Sequence, residues 1–224
     1  MSRRLRYQVA MSLDGFIAGP NGESDWIVMD PSIDFSALFK EFDTALMGRK
    51  TYEVVTAQGG SVTMPGLEVV VFSRTLPSSR KPGVRIVNED PRKVVSALKR
   101  EPGRDIWLFG GGVLFRLLLD AGLVDTVELA VVPVLLGSGI PLLPPGGTTK
   151  LVLADQKTLP TSGIVMLSYS VPGGAGRAPR IGYITTRKAT SKRKSSHVGK
   201  SVPPPRRTPS KKKRGARSPR RRAG

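Results

Sequence analysis

The chain of 224 residues has no cysteine and one histidine, His197. Without cysteine there are no disulfides and no thiolate metal sites, which fits a reducing, cytoplasmic setting, and no metal is expected. Long apolar runs are also missing. The longest, residues 129–136, is too short to span a bilayer and contains Pro133, so no membrane partner is expected. Ser2-Arg3-Arg4 resembles a twin-arginine export signal, but the apolar stretch behind it meets Asp14 too soon to serve as the core of one. Acid is absent from residue 173 onward. All 17 Asp and Glu lie before that point, together with 18 of the 36 Lys and Arg, so residues 1–172 carry a net charge of +1. The other 18 cations, and His197, fall in residues 173–224.

This asymmetry divides the chain. Residues 1–172 read as one globular domain, long enough to bury a sizeable core. Residues 173–224 hold Gly173-Gly174, Pro203-Pro204-Pro205, Lys211-Lys212-Lys213-Arg214 and Arg220-Arg221-Arg222, with few large apolar side chains. Such a Lys/Arg/Ser/Pro-rich stretch cannot bury enough surface to fold, and is expected to be a disordered tail with nonspecific affinity for nucleic acid, or a solvated extension with no specific partner.

The body is organised around residues 105–120, DIWLFGGGVLFRLLLD. A short apolar run predicts a buried strand, then come Gly110, Gly111 and Gly112, and the apolar run from Val113 predicts a helix stopped at Ala121-Gly122. Strand, glycine turn and helix in that order bring free N–H groups and a positive helix end to one spot that suits a phosphate. Three adjacent glycines exceed what a tight turn alone needs. Gly48-Arg49-Lys50-Thr51 repeats the logic at the start of another predicted helix, and Ser73-Arg74-Thr75 gathers hydroxyl and guanidinium groups after residues 69–72, a Val-rich strand.

Taken in order, residues 5–13 predict a strand, with Asp14-Gly15 breaking it. The loop that follows, with Ser24, Asp25 and Trp26, either holds a polar ligand against an aromatic face or is a surface loop with one anchoring Trp. Phe35, Leu38, Phe39 and Phe42 have helical spacing. Asp34 ahead of them reads first as an N-cap and second as a proton donor. Strands are expected at 44–47 and 84–87, a helix from Pro91, and a strand at 127–135 that Pro133 bends or places at an edge. Residues 151–158 and 164–171 predict a closing antiparallel pair. The fold class is α/β: a mainly parallel central sheet with helices on both faces and an antiparallel C-terminal edge. Its ligand is expected beyond the carboxyl ends of the strands, where the three anion-suited spots gather.

Met47-Gly48-Arg49-Lys50-Thr51-Tyr52, Ser73-Arg74 and Phe109-Gly110-Gly111-Gly112 resemble the dihydrofolate reductase superfamily in type and order. The front end, Ala10-Met11-Ser12-Leu13-Asp14-Gly15 with Gly22-Glu23-Ser24 and Trp26-Ile27, is similar to the reductase domain of the bifunctional riboflavin-biosynthesis deaminase–reductase. The resemblance covers about residues 5–171. It implies a homodimeric enzyme with NADPH as hydride donor and a small heterocycle or imine as substrate. In that family, Arg49 and Thr51 would meet cofactor phosphates and Ser73 and Arg74 the adenosine 2′-phosphate. Gly110, Gly111, Gly112, Val113, Leu114 and Phe115 would cradle the pyrophosphate. Ala10 and Trp26 would lie beside the nicotinamide half, and Ser24 would contact substrate. Asp14, Asp34 or water would supply the proton. Two departures stand out: there is no HxE paired with PCxxC, as the zinc deaminase half carries, and Phe109 stands where the riboflavin branch usually has Glu. The implied substrate is 5-amino-6-(5-phosphoribosylamino)uracil. A pterin reductase, or a nucleic-acid-associated protein that binds nucleotide without turnover, are the alternatives.

Overall fold

Runs of Val, Ile and Leu with no polar alternation need cover on two sides, and helices on both faces of a sheet supply it. The structure, a computed structural model, describes residues 2–57, 59, 62–174 and 180–184. The chain opens with β1 (Leu5–Ser12), β2 (Phe16–Ala18), α1 (Phe35–Phe39), β3 (Phe42–Gly48) and α2 (Arg49–Ala57). It continues through β4 (Glu68–Phe72), β5 (Ser79–Lys81), β6 (Val84–Val87), α3 (Pro91–Leu98), β7 (Asp105–Gly110) and α4 (Gly112–Asp120). The last elements are β8 (Thr126–Val132), β9 (Ile140–Pro141), β10 (Val152–Thr158) and β11 (Val165–Ser170).

One nine-stranded sheet runs in the order β10-β11-β8-β1-β7-β3-β4-β6-β5. The six strands from β8 to β6 are parallel, while β10, β11 and β5 run antiparallel to their neighbours. The fold is the expected one, a mainly parallel sheet with an antiparallel C-terminal edge. No helix among the described residues is long and apolar enough to cross a membrane.

The two faces are covered differently. On one, Leu5, Tyr7, Leu108 and Leu129 pack under Val95 and Leu98 of α3 and Leu114, Phe115 and Leu118 of α4. There the Tyr7 ring stacks on Phe115 at 3.8 Å. The opposite face has thinner helical cover, since α1 buries only Leu38 and α2 buries no residue fully. Ile181, Tyr183 and Ile184 complete it, all buried. This corrects the expected end of the body at Pro172: the chain returns to the sheet at 180–184. The rest of the expected tail beyond Gly174, residues 175–179 and 185–224, lies outside the described residues.

Arg6 sits fully buried at the amino end of the parallel strands. Its guanidinium meets Glu128 at 2.8 and 2.7 Å, Glu41 at 2.5 Å and Asp105 at 3.3 Å, and lies over the Phe42 ring. Each carboxylate offsets the cost of dehydrating the cation.

Two local expectations change. Phe42 belongs to β3, because the chain turns after α1 and pairs Phe42 with Asp105. Pro133 neither bends a strand nor marks an edge. It follows the last residue of β8, an internal strand between β1 and β11.

Candidate functional site

Register decides what gathers at the carboxyl ends of the strands. Met47 of β3 pairs with Gly110 of β7, Gly48 with Phe72 of β4, and Phe72 with Val87 of β6. Arg49, Ser73 and Gly111, each one residue further on, therefore share one rim. The three spots marked in the sequence come together here.

The glycines differ in what they permit. A Cβ on Gly112 would sit 2.8 Å from the Pro141 carbonyl oxygen, so only glycine allows that loop to close on α4. A Cβ on Gly111 would sit 3.3 Å from Thr51 Oγ1, which places the Thr51 hydroxyl against the Gly110–Gly111 peptide, a cis bond. Gly48 faces open space. Gly111 is the N-cap of α4 and brings no side-chain cap, so the first N–H groups of this nine-residue helix are left for another acceptor. Val113 is exposed there, while Leu114 and Phe115 turn inward to the core.

Along the rim, Ser73 is buried and its Oγ accepts from the N–H groups of Thr75 (3.1 Å) and Leu76 (2.8 Å). Its hydroxyl hydrogen is not used in those bonds and can be donated. Arg74 is exposed and, among the described residues, makes no ion pair. Near this end of the rim a cleft of about 590 Å³ is lined by Ser78, Arg80, Arg85, Asn88 and Glu89. Asn88 Nδ2 donates to the Ser73 carbonyl at 2.6 Å. Arg49 pairs with Glu53 on its own helix at 2.7 Å, a half-exposed pair that a phosphate can displace at small cost. Unfilled N–H groups, two hydroxyls and a free guanidinium along one rim suit a ligand that carries more than one phosphate.

The face carrying α1 supplies an aromatic wall. Phe35 lies 6.3 Å from Phe39, Phe39 5.8 Å from Trp107, and Trp107 meets Phe109 edge-on at 5.2 Å. Ala10 and Trp26 are half-buried against the same cluster, and Trp26 Nε1 donates to the Glu23 carbonyl at 3.1 Å. Ser24 is exposed in the adjoining loop. Phe35, Phe39 and Phe109 were legible in the sequence only as core spacing and a family departure. The signal that they form a wall is the register of β7 beside β3, which sequence spacing does not carry.

The two carboxylates singled out in the sequence hold the backbone. Asp14 accepts from Ser12 Oγ (2.6 Å), Leu136 N (3.0 Å) and Gly137 N (2.7 Å), tying the loop after β1 to the loop after β8. The Ser12 hydroxyl, then the two backbone N–H groups, keep it below the usual carboxylate range. Asp34 is exposed and caps α1, accepting from Ala37 N at 2.9 Å.

The family model described as the RibD C-terminal domain matches residues 3–166. A Bacillus subtilis (strain 168) protein, YyaP, described as uncharacterised, is 35% identical over 179 residues, covering 75% of this chain and 94% of its own. Among solved structures, a putative riboflavin biosynthesis protein from Shewanella sp. PV-4 superposes with a TM-score of 0.65 at 24% identity, covering 76% of this chain and 99% of its own. Dihydrofolate reductase from Enterococcus faecalis, solved with NADP(H), gives 0.58 at 16% identity over 77% of this chain and 99% of its own. These structures share the fold.

Proposed function

The chain belongs to the RibD C-terminal domain family, and from that premise we propose that it is an NADPH-dependent reductase acting on a ribosylaminopyrimidine, 5-amino-6-(5-phosphoribosylamino)uracil, through its open-chain imine. The bound nicotinamide supplies the hydride. Thr51, Arg49 and the N–H groups at the start of α4 hold the phosphates, with Gly110, Gly111 and Gly112 allowing the close approach. Ser73 and Arg74 take the 2′-phosphate. Ala10 and Trp26 flank the nicotinamide half, Ser24 contacts the substrate, and the aromatic wall excludes water from the far side. With Asp14 and Asp34 engaged by backbone, water delivers the proton. A pterin is the second reading, favoured by Phe109, which offers a ring face where a carboxylate would hold a pyrimidine. On the same proposal the enzyme works in the cytoplasm as a homodimer, and residues beyond 184 give it nonspecific affinity for nucleic acid.

The observation that carries this reading is the single rim joining Gly48, Ser73 and Gly110 through three paired strands. Titration with NADPH and NADH tests it. Replacing Arg74 by Ala removes a charge-assisted contact of about 1.5–3 kcal/mol, so NADPH affinity should fall roughly ten- to a hundredfold while NADH affinity stays near its starting value. Equal loss for both cofactors would remove Arg74 from the 2′-phosphate. Absence of NADPH consumption with the pyrimidine would remove the substrate.

A further inference from the structure

The segment 180–184 does more than fill the thin face. Three of its five residues are buried, with Tyr183 only 4% exposed. Its ends are fixed to β10: the Ile181 N–H donates to Asp155 Oδ2 at 2.9 Å, and Lys157 Nζ donates to the Ile184 carbonyl at 3.2 Å. Its middle is fixed to β1, where Gln8 Nε2 donates to the Tyr183 hydroxyl at 2.8 Å. Gln8 Oε1 is buried without a partner, so among the described residues the Tyr183 hydroxyl is the one group bonded to this side-chain amide.

What the segment holds in turn is the start of α1. The Tyr183 carbonyl accepts from the Asp34 N–H at 2.8 Å, and Ile184 forms an antiparallel bridge with Ile33. Asp34 is the residue whose carboxylate begins α1, and Phe35 and Phe39 follow directly. The position of the aromatic wall thus passes from β1 through Tyr183 to Asp34. None of these contacts involves Arg49, Thr51, Ser73, Arg74 or Gly111 on the cofactor rim.

We propose that residues 180–184 are a strap that positions the α1 wall for the substrate, with Tyr183 as the positioning residue that registers the wall against β1. The proposal rests on the reading that this wall faces the substrate. Its signature is a split: substrate affinity depends on the strap, and cofactor affinity does not.

The test uses the full chain with Tyr183→Ala and Tyr183→Phe. By hydrogen exchange, amides of residues 30–39 should open about tenfold faster in Tyr183→Ala, with β3, β4 and β7 unchanged, and Tyr183→Phe should lie between, its ring still packed. With NADPH and 5-amino-6-(5-phosphoribosylamino)uracil, KM should rise about tenfold in Tyr183→Ala with kcat within about twofold, and the NADPH dissociation constant should not move. Unchanged exchange at 30–39, or exchange raised evenly across the sheet, would overturn the strap. So would a loss of kcat at constant KM. If the unaltered protein does not turn over this pyrimidine, the substrate assignment fails by itself, and the exchange comparison still decides the strap.

Discussion

Asp30 shows one carboxylate fastening the loop that leads into the wall. It is 2% exposed and accepts from Ser32 N (2.9 Å), Ser32 Oγ (2.6 Å) and Ser162 N (3.1 Å), joining the loop before α1 to the turn between β10 and β11. The Ser162 hydroxyl first, then Ser32, push its pKa down to about 2. A carboxyl depressed in the folded state adds stability above its unfolded pKa of about 4 and loses it as pH falls towards 2. Asp30→Asn should therefore be less stable than the unaltered protein at pH 7, and the gap should close as pH drops from about 4 to 2. Urea unfolding at both ends of that window measures it, and a gap that stays constant with pH would show that the charge contributes nothing. Asp14 is tied by the same kind of bonds, with a serine hydroxyl two residues away. Both acids illustrate why a loop carboxylate near a site is more often a fastening than a proton donor.

At the scale of elements, β10 bears on assembly and the strap on substrate affinity. β10 is an edge strand whose residues Val152 and Leu153 are 59% and 48% exposed, next to Leu151 at 38%. Unpaired backbone beside exposed apolar side chains is the surface a second copy would pair with. Leu153→Lys should therefore shift the protein from dimer to monomer in sedimentation at micromolar concentration. A protein already monomeric would end the dimer proposal. The strap is finely balanced. Burying its three apolar side chains contributes roughly 1.5–3 kcal/mol each, and ordering five residues costs about 1–2 kcal/mol each. The sums nearly cancel, so the bonds to Asp155, Lys157, Gln8 and Asp34 decide whether it docks. Legibility follows the same division. Residues 69–72 and 105–109 announced themselves as strands because continuous apolar runs suit a sheet covered on both sides. The phosphate-suited turns were visible because Gly110, Gly111 and Gly112 have few other uses. Ser79–Lys81 and Ile140–Pro141 were invisible, since strands of two or three residues exist only through their partners. Ile181, Tyr183 and Ile184 were hidden among cations. Their burial is set by Gln8, Asp34 and Asp155, and no local pattern encodes contacts across so much sequence.

For the whole molecule, charge and topology pull in separate directions. Residues 185–224 contain 16 cations and no acid, against a nearly neutral body. Polyanion binding by such a stretch releases counterions and weakens by orders of magnitude between about 50 and 200 mM salt. A chain ending after Ile184 should keep its NADPH affinity and its KM but lose DNA retardation at low salt, whereas one ending after Val171 should also lose substrate affinity. Retardation that survives the first truncation would place the nucleic-acid surface on the body. The topology has a different outcome. β7 fills the slot between β1 and β3, yet it follows β3, β4 and β6 in the chain. During synthesis, everything ahead of Asp105 holds β1 on one side and β3, β4, β5 and β6 on the other with nothing to join them, and an Arg6 that has met neither Asp105 nor Glu128. Contacts this distant in sequence form slowly and cannot form piecemeal. β1 can join the β3 side only once Asp105–Gly110 clear the ribosome, and the charge at the base of the sheet closes later still, when β8 delivers Glu128 to Arg6.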